Sequence, residues 1–264
     1  MVNIVSQLIP GENQIVVFFL IAARIAAMLS MLPVFGGMNV PMRYRAGMSL
    51  IIGYMILIFV RPDSAAASGS ASDILFAIGS EVLIGLALGT FVKLVIEAVG
   101  LGATMLGFQM GFSIVNVVDP LTGNQVSLIG SFQGLLAGVI FLVSGAYRVF
   151  LLGIMESFTS IPPGQMLLSS ELGRYFYQAG GALFVNSVRI AAPVMICLLV
   201  TKIALGIVAR TVPQMNIFIV GFPLTIALGL VFLGISMPYF FHATMAAFSE
   251  SAKYFNHFLS AVSP

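Results

Sequence analysis

Six apolar runs of near-spanning length alternate with short polar or glycine- and proline-rich connectors. They are Gln14 to Leu32, Ala46 to Val60, Ile74 to Val92, Val126 to Val143, Ala179 to Ile207 and Ile217 to Met237. A helix needs about 20 mainly apolar residues to cross hydrocarbon, so the pattern predicts an all-α, polytopic membrane-type protein of about six long hydrophobic helices. The second run is short and the fifth long, with Pro193 as an expected kink. Such uneven lengths suit helices packed on protein better than helices crossing a simple bilayer. Arg24 lies within the first run, where a full charge must face protein or water.

The connectors suggest an orientation. Met31 to Arg45 carries two prolines, two glycines and the densest positive charge, as cytoplasmic turns do, whereas Arg61 to Asp73 is a small-residue link with two acids and one base. With six spans this places both termini outside. Met1 to Asn13 has no Lys or Arg, so the basic region of a secretory signal is missing and the first run is expected to remain as a span. Between Ser144 and Gln178 hydropathy falls, Pro162-Pro163-Gly164 reads as a turn outside the hydrophobic layer, and Tyr175, Phe176 and Tyr177 suit an interface.

Gly100 to Gly123 is the stretch that ordinary spanning patterns fit least. Five glycines lower its helix propensity and Asp119-Pro120 forces a break, so it is expected to be irregular backbone. Such backbone cannot face lipid without unsatisfied amides, and must be covered by protein or line a cavity. From Met105 to Val118 the polar side chains are Gln109, Ser113 and Asn116. Met105, Phe108, Met110, Phe112 and Ile114 would fill and seal a conduit, with the glycines allowing the segment to move aside.

Two flanking runs carry small-residue stripes. Glu81, Gly85, Gly89, Lys93 and Glu97 follow one another at four-residue steps, and Gly130, Gly134 and Gly138 repeat the device. Glycines so spaced allow close helix approach, and charges among them should face protein. Ser127, Ser131 and Gln133 could hydrogen-bond across helices. In the fifth run Asn186, Arg189, Pro193, Cys197 and Thr201 form a mildly polar contact face. Residues 179 to 240 read as a helical hairpin whose turn offers Arg210, Pro213, Gln214, Asn216 and Phe218 to partner subunits.

Composition narrows the function. Of 264 residues 59% are hydrophobic and 8% charged, against about 25% charged in soluble domains. The net charge of +2 with no Lys/Arg run argues against nucleic-acid binding. No phosphate-binding loop, His-Glu-x-x-His helix or nucleophile triad is visible, so an enzyme is not expected. Cys197 cannot form an intramolecular disulfide. His242 and His257 have no partners at ligand spacing, so no metal or cofactor is expected. A secondary transporter would also use a broken helix and buried charge, but no inverted repeat is visible.

Several motifs are familiar as a set: Pro33-x-Phe35-Gly36 with Val40-Pro41-x-Arg43-x-Arg45, Glu81-x-x-x-Gly85-x-x-x-Gly89, Gln109-Met110-Gly111 with Asp119-Pro120, and Arg210-x-x-Pro213-Gln214-x-Asn216-x-Phe218 with Gly221-Phe222-Pro223. Over nearly the whole chain they resemble the R-type subunit of the type III secretion export gate. Lys202, and Thr225 where many members would carry lysine, depart from the pattern. The resemblance implies a single export-gate domain over 1–264, a P-like part at 1–178 and a Q-like hairpin at 179–264. The matching Leu106 to Thr122 would be the plug of a closed gate. Implied partners are the P-type and Q-type subunits (FliP and FliQ in flagella), the FlhA- and FlhB-type export proteins, unfolded export substrates and the membrane. The implied location is the bacterial inner membrane at the flagellar basal body.

Overall fold

A computed structural model describes residues 12–32, 40–60, 71–112, 127–164, 170–212 and 217–262. Among them the regular structure is helical: α1 Glu12–Met31, α2 Met42–Val60, α3 Ala71–Met110, α4 Leu128–Val143, α5 Ala146–Ser160, α6 Ser170–Thr211, α7 Ile217–Ile235 and α8 Met237–Val262. Over their described residues the six apolar runs lie mainly on α1, α2, α3, α4, α6 and α7. Among the described residues three helices are long and apolar enough to cross a membrane singly, or up to five spans result if two bent pairs each count as one.

Contacts divide the chain into two units. One comprises Met1–Lys93, Gly145–Ala179 and Glu250–Pro264, and the other Leu94–Ser144 and Gly180–Ser249. In the first, α1 buries Val17, Leu20, Ile21, Ile25 and Met28, whose three- and four-residue spacing puts them on one helical face. Gly53 of α2 brings its backbone close to Ala22. An aromatic cluster completes this core: Phe91 stacks on Phe176 at 5.4 Å, meets Phe258 edge-on at 5.6 Å, and lies beside Phe255, which meets Phe150 at 5.5 Å. Gly153 leaves room for the Phe255 ring. In the second unit Ala103, Leu106, Met110, Ile129, Ala191, Val194, Leu198 and Leu233 form one buried cluster.

One expectation needs correction. Gly100, Gly102 and Gly107 do not loosen the backbone, because α3 runs unbroken for 40 residues to Met110. Gly102 instead sits against the Ser187 carbonyl, where a Cβ would come within 2.7 Å, so a close helix contact outweighs its poor propensity. Pro193 lies inside α6, a helix of 42 residues. Phe176 stacks into the aromatic cluster, while Tyr177 is exposed.

Two helices, α5 and α8, lie outside the six runs. They are amphipathic rather than uniformly apolar. In α8 the buried positions Phe240, Ala243, Ala247, Phe248, Ser251, Phe255, Phe258 and Leu259 recur every three or four residues between polar ones.

Candidate functional site

Two constructions hold α3, one in each unit. The first centres on Arg24 of α1, which is 1% exposed, and Glu81 of α3, which is fully buried. Their side chains pair in a two-pronged fashion, Nε to Oε2 at 2.5 Å and Nη2 to Oε1 at 3.0 Å. Arg24 Nη1 also donates to the Ser157 carbonyl at 3.0 Å, and Nη2 to the Ile161 carbonyl at 3.0 Å. The Gly164 amide donates to Glu81 Oε1 at 2.8 Å, and the guanidinium lies 4.2 Å from the Phe158 ring centroid. Each prong of the pair is thus satisfied, the condition under which a buried ion pair is tolerated.

This junction ties α1 and α3 to the end of α5 and to the Ile161–Gly164 turn. Gly85 and Gly89 make it possible: a Cβ on Gly85 would run into the Arg24 carbonyl and Ala27, and one on Gly89 would approach Met31 Cβ at 2.6 Å. The stripe ends there. Lys93 and Glu97 are exposed, because each four-residue step drifts about 40° around the helix and the accumulated rotation carries them off the α1 contact. Sequence reasoning marked Arg24 and Glu81 as needing protein cover but did not pair them. Ser157, Phe158 and Gly164 were missed.

The second construction ends α3. Gly111 has φ +92°, its amide donates to the Phe108 carbonyl at 3.2 Å, and the Phe112 amide donates to the Gly107 carbonyl at 3.0 Å. That is the Schellman pattern, which satisfies carbonyls orphaned at a helix end and favours glycine at the left-handed position. Met110, fully buried, seats its side chain against Gly229 of α7, and its carbonyl accepts from Thr225 Oγ1 at 3.1 Å. The Phe222 ring lies over Gly111. Thr225, Phe222 and Gly229 were not expected here; the four-residue spacing of Thr225 and Gly229 was the available signal.

The residues expected to seal a conduit are separated by this geometry. Met110 belongs to the buried cluster, Phe112 packs partly against it, Met105 is half-buried and Phe108 is 63% exposed. Ile114 lies outside the described residues, as do Pro213, Gln214 and Asn216 of the α6–α7 turn. Phe218 belongs to α7, and Arg210 is exposed near the end of α6.

The α4 glycines also divide. A Cβ on Gly130 would meet Ser127 at 3.1 Å, whereas nothing lies within 4 Å of one on Gly134 or Gly138. Those two are therefore not close contacts within the described chain. Ser127 caps its own helix by accepting from the Gly130 amide at 3.1 Å rather than bridging to another, and Gln133 is buried with Oε1 unpartnered among the described residues. On α6 the expected contact face splits: Asn186 is buried and Arg189 is exposed. Among the described residues no group of three His, Cys, Asp or Glu side chains could hold a metal ion. His257 lies parallel to Tyr175 at 6.4 Å, and Cys197 is half-buried.

The family described as "Bacterial export proteins, family 1" matches residues 15–251. The chain is 35% identical over 248 residues to the flagellar biosynthetic protein FliR of Bacillus subtilis (strain 168), covering 93% of this chain and 95% of that one. It is 29% identical to the protein of the same name in Pectobacterium carotovorum, covering 90% and 87% respectively. The Escherichia coli K12 counterpart is 29% identical, covering 81% and 82%. The match takes in most of α1, the buried junction, the capped end of α3 and the first part of α8, and on that extent the chain belongs to family 1 of the bacterial export proteins.

Proposed function

We propose that the chain is a non-enzymatic core subunit of the flagellar type III protein export gate, embedded in the bacterial inner membrane. The observation that carries this reading is the near-full-length match to flagellar biosynthetic proteins. The long apolar helices support membrane residence, and the family supports protein export rather than ion or solute transport. In this reading the chain assembles with P-type and Q-type subunits and acts with FlhA- and FlhB-type proteins on unfolded export substrates at the basal body. The P-like part at 1–178 and the Q-like hairpin at 179–264 belong to the same proposal.

A deletion strain tests the function. Loss of flagella and of flagellar-protein export, both restored by the wild-type gene in trans, is the expected outcome; a flagellated, motile deletion strain would overturn the reading.

The seal is part of the same proposal. Apolar side chains close a narrow path because wetting it is unfavourable. A firmly capped α3, followed directly by an apolar sequence, supplies a fixed root for such a seal. Leu106 and Met110 are core residues, so the discriminating change is Phe108→Ser, Phe112→Ser and Ile114→Ser together rather than removal of 106–122. Assembled complexes carrying it should pass ions or small solutes that the parent retains. A permeability equal to wild type would make the stretch packing instead.

A further inference from the structure

Proline takes one amide out of a helix, and within the unit that holds Gly180–Ser249 two prolines leave carbonyls without their usual donor. In an α-helix each amide bonds to the carbonyl four positions earlier. Pro193, inside α6, therefore offers nothing to the Arg189 carbonyl, and a proline ring also crowds the carbonyl at that position. Pro238, in the first turn of α8, likewise offers nothing to the Gly234 carbonyl near the end of α7.

Beside Pro238 the chain turns, and α7 and α8 meet at 64° across Ser236. Ser236 keeps part of the ladder: its amide donates to the Phe232 carbonyl at 2.9 Å, its hydroxyl donates to the Leu233 carbonyl at 3.0 Å, and its carbonyl accepts from the Phe240 amide at 2.9 Å. Leu233, before the elbow, is buried in one cluster with Ala191, Val194 and Leu198 of α6, and Met237, after it, packs against that cluster. The elbow thus lies against the stretch of α6 that contains Pro193.

Tyr239 is where the two interruptions meet. Its hydroxyl donates to the Arg189 carbonyl at 3.1 Å, which is the carbonyl of α6 that Pro193 leaves without an amide. In a span that water does not reach, a carbonyl freed in this way must find its donor on a neighbouring side chain. Tyr239 is 43% exposed, so core packing alone does not fix its ring and the hydroxyl carries much of the contact.

We propose that the Tyr239 hydroxyl replaces the amide missing at Pro193, and that this one bond latches the α7–α8 elbow to α6. Releasing it frees the first turn of α8 to shift about Ser236 while the buried cluster stays packed. A bond that a proline makes necessary has a signature that plain packing lacks: restoring the amide makes the hydroxyl dispensable. The latch goes beyond the export reading and stands independently of it.

The test is a double-mutant cycle on the full chain reconstituted in lipid, with Tyr239→Phe set against Pro193→Ala. Spin labels attached at Val231→Cys and Met245→Cys, both exposed positions, straddle the elbow, and Cys197→Ser removes the single native cysteine. Tyr239→Phe alone should broaden or shift the distance distribution between the labels. In the unlabelled chain it should speed amide exchange over residues 239–242 by about threefold to tenfold, the range for losing one net hydrogen bond. With Pro193→Ala present, a restored amide occupies the Arg189 carbonyl, and adding Tyr239→Phe should change that exchange by less than about twofold. Should Pro193→Ala fail to accumulate, Pro193→Leu replaces it, since any other residue brings the amide back. An unchanged distance distribution in Tyr239→Phe would overturn the latch, and equal exchange effects with and without Pro193→Ala would overturn its link to the proline.

Discussion

The two ends of α3 are held by different physics. Toward its beginning, Glu81 is locked by two prongs of Arg24 and one backbone amide, all out of water. At its end, Met110 and Gly111 are held by methionine packing, a glycine-dependent turn and one hydroxyl. Charges taken out of water cannot be separated cheaply, since each needs its partner. Apolar packing and a single neutral hydrogen bond cost far less to rearrange. The first end is thus suited to be a fixed anchor, whereas the second can be rearranged at smaller cost.

The largest expected effect comes from breaking the anchor. Glu81→Ala leaves a buried, uncompensated guanidinium and should destabilise by about 3–5 kcal/mol, read as loss of folded chain from membranes. Replacing both partners, Arg24→Met with Glu81→Leu, should recover much of that loss, because well-packed apolar residues can substitute for a buried pair. An E81A chain as abundant and heat-resistant as the parent would show that the pair is not desolvated, and the contrast between the two ends would collapse.

Next come the glycines beside the anchor. Gly85→Ala and Gly89→Ala push a Cβ into α1, which should cost about 1–3 kcal/mol of overpacking. Gly134→Ala faces open space and should leave the isolated chain unchanged or slightly more stable, since alanine is the better helix former by about 1 kcal/mol. Thermal unfolding in detergent separates the two cases. Equal losses at Gly89 and Gly134 would mean that the α3–α1 approach is no tighter than the open face of α4.

These glycines show what a sequence can disclose. Four-residue spacing marked Gly85, Gly89, Gly134 and Gly138 alike, yet among the described residues only the first pair has a helix against it. Hydropathy located all six apolar runs, because burial in lipid or core demands apolar residues in either case. It passed over α5 and α8, whose buried phenylalanines alternate with polar residues and lower the average, although their spacing was readable. The need of Arg24 and Glu81 for cover was legible; their pairing was not, since a separation of 57 positions leaves tertiary geometry to choose the partner. The glycines from 100 to 107 misled because propensity is a weak prior against a packed neighbour. Among the described residues of this stretch Gly111 alone has a positive φ, and it is where the helix stops.

At the other end of α3, Gly111→Ala should cost about 1–2 kcal/mol, because an L-residue resists the left-handed region and its Cβ would come within 2.7 Å of the Phe222 ring. The change loosens the cap without touching the anchor. Amide exchange should quicken near residues 107–112 and stay slow around Glu81. Uniformly faster exchange along α3 would mean that its two ends are one cooperative unit.

The smallest and most selective change is Thr225→Val, which keeps the shape of the side chain and removes its proton. The Thr225 hydroxyl has two acceptors in reach, the Met110 carbonyl at 3.1 Å and the Phe222 carbonyl at 3.0 Å. One hydroxyl donates one proton, so it serves only one of them at a time. Phe222 lies in the helical run of α7 whereas Met110 is a helix terminus, so the terminal carbonyl has more to gain from the bond. Valine should therefore cost about 0.5–1.5 kcal/mol, too little to unfold the chain but enough to speed exchange of the Gly111 and Phe112 amides several-fold. Thr225→Ser, which keeps the donor, should leave that exchange near the parent rate. If valine and serine behave alike, the hydroxyl contributes nothing to the end of α3, and methionine packing against Gly229 alone fixes the root of the segment that follows.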